Sequence, residues 1–134
     1  MAAPTYTWEF VTDLLGDRIP KIVTLEASTS LETKVGTALI ATSGQLDEAT
    51  ASVVLFIGLA AEATTAAATA GDPIKVALIA PGMVIKGTAD ADASAASGFS
   101  GKTYDFNSDG SLDVGDTSAG CLSVWRTEDA GLTV

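Results

Sequence analysis

The stretch Asp105-Phe106-Asn107-Ser108-Asp109-Gly110-Ser111-Leu112-Asp113-Val114-Gly115-Asp116 is where oxygen-bearing side chains recur at a spacing that chemistry can use. Hard cations such as calcium take about six to eight oxygen ligands, and a calcium loop supplies them from positions 1, 3, 5, 7, 9 and 12 with glycine at 6. Counted from Asp105, those positions hold Asp105, Asn107, Asp109, Ser111, Asp113 and Asp116, and Gly110 stands at the bend. A carboxylate pair such as Asp105 and Asp113 is also the raw material of general acid and base chemistry. The third reading is structural. Lys102-Thr103-Tyr104-Asp105-Phe106 alternates polar and apolar residues, and Cys121-Leu122-Ser123-Val124-Trp125-Arg126 reads as a strand. Between them, Asp109-Gly110 supplies the positive φ angles of a tight turn.

The same residues resemble the dockerin variant of the EF-hand loop, in which the last ligand is Asp and a branched apolar residue, here Leu112, stands at position 8. Such loops are held between helices, and dockerins carry two in tandem. This chain has one copy, followed by Thr117-Ser118-Ala119-Gly120 where an exiting helix would begin. The expectation is therefore an acidic β-turn with no obligatory ion and no cofactor. A calcium-binding β adhesion or scaffold module using Asp105 to Asp116 is the alternative.

Composition narrows the rest. With 134 residues the chain fits one domain able to hold a core without disulfide or metal. Hydrophobic residues make up 47%, much of it alanine, and charged residues only 18%, below the usual quarter. Such a surface suits burial against neighbours, and equally a plain acidic β domain. The net charge of −10 and seven scattered Lys and Arg argue against a nucleic-acid partner, which needs clustered cations. Histidine is absent, which removes the commonest general base and most zinc sites, so an enzyme is not expected. Cys121 stands alone and reads as a small buried hydrophobe. Met1-Ala2-Ala3-Pro4-Thr5 lacks the basic start of an export signal, and the apolar run 53–61 is too short to span a bilayer.

In chain order, Tyr6, Trp8 and Phe10 fall on one face of a period-two pattern and predict an aromatic strand, either an edge strand or an arm lying on another subunit. A break over 13–20 leads to Lys21-Ile22-Val23-Thr24-Leu25-Glu26, a second strand. Segments 36–41 and 51–59, separated by Ser43-Gly44 and the acids Asp47 and Glu48, are apolar throughout and predict burial on both faces. Residues 62–70 have no usable period. Segments 74–80 and 83–87, joined by Pro81-Gly82, predict a hairpin. Residues 88–100 are Ala, Ser, Asp and Gly with Phe99 as the sole large side chain, and predict an exposed, mobile loop. A strand over 120–126, a turn over 128–131 and an apolar end complete an all-β fold: a small sandwich or barrel of short antiparallel strands with long Ala/Ser/Gly-rich loops.

From about Gly36 to Val134 the order of pieces resembles the head-decoration, or capsid cement, proteins of tailed bacteriophages. The pieces are Gly36-Thr37-Ala38-Leu39-Ile40-Ala41, Gly58-Leu59-Ala60-Ala61-Glu62-Ala63, Gly71-Asp72-Pro73-Ile74-Lys75-Val76, Ala80-Pro81-Gly82-Met83-Val84-Ile85 and Gly101-Lys102-Thr103-Tyr104-Asp105 running through Asp109-Gly110-Ser111-Leu112-Asp113-Val114. Residues 1–35 have no clear counterpart and form an N-terminal strand or arm ahead of a 36–134 β domain. The resemblance implies a viral structural protein without catalytic residues, commonly a homotrimer, bound to the major capsid protein on the outer capsid surface of the virion. Neither a nucleic acid nor a membrane is an expected partner. Contact residues expected on this reading are Tyr6, Trp8, Phe10 and Phe99.

Overall fold

A computed structural model of the chain describes residues 3–49, 56–64, 67–99, 101–117 and 120–134. Within them the protein is all-β: β1 (Glu9–Asp13), β2 (Ile22–Glu26), β3 (Ala38–Thr42), β4 (Gln45–Glu48), β5 (Phe56–Ala60), β6 (Pro73–Leu78), β7 (Met83–Lys86), β8 (Asp105–Phe106) and β9 (Leu112–Asp113). Their ladders are antiparallel, and the helical content described is two short 3-10 turns, Ser94–Ala96 and Asp129–Gly131.

The frame is a five-stranded sheet in the order β2-β6-β5-β3-β4. Side chains alternate between the two faces of β3 and β6, and in β5 the alternation slips by one residue around Gly58, where the β3–β5 register shifts. Ala38, Ile40, Phe56 and Leu59 enter one apolar layer with Trp8, Tyr104, Phe106 and Leu112. Leu39, Ile57 and Ala60 enter the other with Leu31, Leu46, Ile74 and Val76. β3 and β5 are thus covered on both faces by their own chain, which is why their sequences are apolar throughout. At one end the sheet curls, because Ala27 just past β2 bridges Leu46 of β4 and Ser28 N–H donates to the Leu46 carbonyl at 2.8 Å.

Residues 1–35 contribute β1, which pairs with β7, and β2, which pairs with β6. Trp8, at 5% exposure, sits edge-on to Phe106 with ring centroids 5.5 Å apart. Its Nε1–H donates to the Gly110 carbonyl at 2.7 Å. One ring therefore joins the start of the chain to the acidic stretch.

Several expectations are corrected or refined. The 74–80 and 83–87 segments do not form a hairpin: Pro81-Gly82 is a turn, but β6 pairs with β2 and β5 while β7 crosses to β1. The chain changes sheet there, a move that turn residues alone do not reveal. Residues 88–99 are exposed at most positions, as the sequence leads one to expect, but the segment is anchored rather than free: Ala89, Ala93 and Ala96 are at most 4% exposed and belong to the main core. Alanine fills a core where backbones approach too closely for larger side chains. Between Ser43 (φ 50) and Gly44 (φ 82), which make a two-residue turn, and Ala49 lies a further strand, β4, hidden by its acids. Of the expected 51–59 strand, 51–55 lie outside the described residues and β5 supplies the rest. The strand expected over 120–126 does not form: the segment joins the fold by one bridge, Tyr104 to Leu122, and by Gly98 N–H to Trp125 O at 2.8 Å and Phe99 N–H to Val124 O at 2.9 Å.

Candidate functional site

The acidic stretch folds as a two-residue ladder, β8 against β9, with Asp105 opposite Asp113 and Phe106 opposite Leu112. Phe106 and Leu112 point into the main core, so the flanking acids take their places by alternation. Asn107 N–H donates to Ser111 O at 2.8 Å and Gly110 N–H to Asn107 O at 3.0 Å, which closes the bend. Gly110 lies at φ +90, and a Cβ there would stand 2.3 Å from the Tyr6 carbonyl. Glycine is required twice over.

Of the six proposed oxygen ligands, Asp116 is half-buried at the end of the stretch, and the other five are placed as follows. Asp109 Oδ1 accepts from Ser111 N–H at 3.0 Å and Ser111 Oγ–H at 2.6 Å, and these bonds hold its carboxyl below the usual range. Asn107 Nδ2 donates to Asp90 Oδ2 at 3.0 Å and Ser111 Oγ at 3.1 Å. Asp113 Oδ1 accepts from the N–H groups of Gly115 and Asp116 at 3.0 and 3.2 Å. Asp105 is 1% exposed. The side chains close local turns rather than converge, and among the described residues no three His, Cys, Asp or Glu side chains come together around a common point. Asp90, which the sequence did not mark, stitches the hairpin to 88–90: its Oδ1 accepts from Val114 N–H at 3.0 Å, and its own N–H donates to Leu112 O at 3.0 Å. The Asp105 and Asp113 pair sits across the ladder, one carboxyl buried and the other bonded to backbone N–H groups. Cys121 is half-buried, and burial followed by the charge of Asp105 pushes its thiol up to about 11, away from a reactive thiolate.

Unabsorbed apolar surface is the other feature. A cleft of about 580 Å³ lies between the β1–β7 ribbon and residues 121–126, walled by Leu14, Met83, Ile85, Leu122 and Trp125 with Phe99 at its edge. Arg126 stacks over Trp125 at 5.2 Å, and Glu128 stands 3.4 Å from Lys86 and 3.7 Å from Arg126. Next to the cleft, the turn between β1 and β2 leaves apolar side chains in water: Leu14 46%, Leu15 74%, Ile19 79% and Ile22 60% exposed, with Val11 at 47%. That turn is fixed. Asp13 pairs with Arg18, Arg18 donates to the Pro81 carbonyl at 2.8 Å, and Leu14 N–H donates to Gly82 O at 2.8 Å.

Of the contact residues expected from sequence, Tyr6 is 39% and Phe99 52% exposed, Phe10 is half-buried, and Trp8 is committed to the core. Leu15 and Ile19, the most exposed apolar side chains described, lie in a segment read only as a break. Their signal was present as apolar residues set among turn-formers. Among the described residues no helix is long and apolar enough to cross a membrane. Comparison with protein-family models, with curated proteins and with solved structures found no match to this chain.

Proposed function

We propose that the chain is a virion structural protein of the capsid-decoration type: a homotrimer that binds the major capsid protein on the outer surface of the head and stiffens it. The observation that carries the reading is apolar surface left uncovered on an acidic protein. Val11 and Leu14 line a mostly apolar cleft, and Leu15, Ile19 and Ile22 stand exposed in the same stretch of chain, while the chain as a whole carries −10. Burying each such side chain is worth roughly 1.5–3 kcal/mol, and single soluble chains seldom leave contiguous apolar patches beyond a few hundred Å². The surface fits association with protein better than work on a small polar substrate. The all-β fold and the order of pieces over 36–134 agree with this reading.

Co-sedimentation with capsid shells assembled from the major capsid protein alone tests it. Saturable binding at a fixed ratio to capsid subunits, together with greater resistance of the shells to heat, is the expected result. Shells that neither retain the protein nor gain resistance would overturn the reading.

A further inference from the structure

β2 is a sheet edge that its own chain leaves open. Leu78 N–H donates to Lys21 O at 2.9 Å and Ala27 N–H to Asp72 O at 2.8 Å, and the unshifted β2–β6 register carries that pattern to Val23 and Leu25 between them. Ile22, Thr24 and Glu26 therefore turn their N–H and C=O groups away from β6. Ser28 N–H, next in that series, finds Leu46 O at 2.8 Å, and the Ala27–Leu46 bridge shuts the edge at that end. Among the described residues no strand pairs with the edge over 22–24.

Open edges usually carry a charge, a proline or a bulge that discourages further pairing. β4, at the other side of the sheet, has Asp47 and Glu48, and β1 is bulged against β7. β2 has none of these between Lys21 and Glu26. Ile22-Val23-Thr24-Leu25 is uncharged, β-branched at three of its four positions, and 60% exposed at Ile22. Beside it lies a groove of about 540 Å³ walled by Leu25, Ala41, Leu46 and Ile57, and among the described residues lining it Glu26 alone is charged.

Two features point to one occupant. Unpaired donors and acceptors at alternate residues match an extended main chain, which a helix, bonded within itself, cannot supply. Side chains of a strand laid there alternate, one set entering the groove over Leu25 and the other lying beside Ile22 and Thr24. Charge then chooses between a second copy and another polypeptide. Copies at −10 repel, whereas a segment bearing Lys or Arg is drawn to the chain. Lys21 stands at the far end of β2 and Lys75 across the ladder from Thr24, on the β6 side, which places the favoured cation at the Glu26 end.

We propose that the open edge of β2 and the groove beside it bind an extended, basic segment of another polypeptide, which adds a strand to the sheet through the N–H and C=O groups of Ile22 and Thr24. This goes beyond the capsid reading and does not depend on it.

Amide hydrogen exchange of the full chain, read by NMR, tests it with the end-capped peptide Lys-Val-Thr-Val-Thr-Val-Lys as probe. In the free chain the Ile22 and Thr24 amides should exchange fast while those of Val23 and Leu25 are protected. Saturating peptide should slow Ile22 and Thr24 by about 10-fold or more and leave Val23 and Leu25 unchanged, an alternation that strand addition produces and side-chain adhesion does not. The same peptide N-methylated at its five central residues keeps the side chains, loses the donors and should not bind, and glutamate in place of both lysines should weaken binding. Thr24→Pro removes an outward N–H without touching a β2–β6 bond, so it should abolish peptide binding with an unchanged circular dichroism spectrum. Protection of Ile22 and Thr24 that rises with protein concentration in the absence of peptide would give the edge to a second copy and overturn the choice of partner. Exchange unaltered by millimolar peptide, an N-methylated peptide that binds as tightly, or protection without the alternation would overturn the inference. Shell binding is a separate readout, whose loss removes decoration and leaves these outcomes as they stand.

Discussion

At the scale of single residues, two carboxyls respond to pH in opposite senses. Arg18 beside Asp13, aided by the Leu15 N–H, lowers the Asp13 carboxyl to about 2. Its folded-state value is depressed, so its contribution is present above the unfolded value near 3.8 and is lost as pH falls toward 2. Asp13→Asn should flatten melting temperature against pH in that window and free the turn that Arg18 clamps to Pro81. Glu48 is the converse case. Burial, then its neighbour Asp47, pushes its carboxyl up to about 7. The folded state holds this proton more tightly than the unfolded chain, so stability falls as pH rises from about 4.5 to 7. Glu48→Gln should remove that decline, as differential scanning calorimetry across the range would read. Neither shift was legible in the sequence. Both acids sit in ordinary turn or strand contexts, and only the tertiary fold decides that one meets a guanidinium and the other loses its water.

At the scale of elements, glycine marks where strands and rings touch. A Cβ on Gly87 would lie 2.3 Å from the Trp8 ring, so Gly87→Ala must displace the indole at the centre of the main core. A loss of about 1–3 kcal/mol is expected from such overpacking, read by denaturant titration with a red shift in tryptophan emission. Truncating Phe106, which is fully buried between Trp8 and Phe56, should cost about 3–5 kcal/mol. The acidic hairpin yields the complementary expectation. The oxygens of Asp109, Ser111 and Asp113 already accept local N–H and O–H groups, so excess calcium should leave the melting temperature unchanged; a rise would mark binding to the folded state. The strands that sequence located well are those with a strong period or a continuous apolar run, such as β2, β3 and β6. β4 was masked because Asp47 and Glu48 resemble turn residues, and the 88–100 segment because its alanines resemble a linker until the elements above them are known. The hairpin in the acidic stretch was legible through Asn107-Ser108-Asp109-Gly110, although its return strand is Leu112–Asp113 rather than 121–126.

At the scale of the whole molecule, the all-β class followed from short strands set between turn signals, whereas the pairing did not. The order β2-β6-β5-β3-β4 combines the sequential pairs β3-β4 and β5-β6 with β2-β6, whose strands lie far apart in sequence, and local patterns carry no information about which distant edges meet. Charge acts at this scale too. Copies of a chain carrying −10 repel one another, and exposed charges are screened within about 10 Å at 0.1 M, so association of copies in the proposed homotrimer should tighten as salt is raised. Sedimentation across a salt series reads this, and association that weakens with salt would point to ion pairing as the dominant attraction.

The Trp8 ring bonded to Gly110, and β1 paired to β7, also set an order of events during synthesis. Trp8 leaves the ribosome about a hundred residues ahead of Gly110, and β1 about seventy to eighty ahead of β7, so neither can settle until those partners have been translated. Nascent chains therefore display an unsatisfied tryptophan and, for much of elongation, an unpaired strand, the condition in which polypeptides recruit chaperones or clump. Slow translation or dense expression should trap this protein as inclusion bodies, even though the finished fold is strongly acidic.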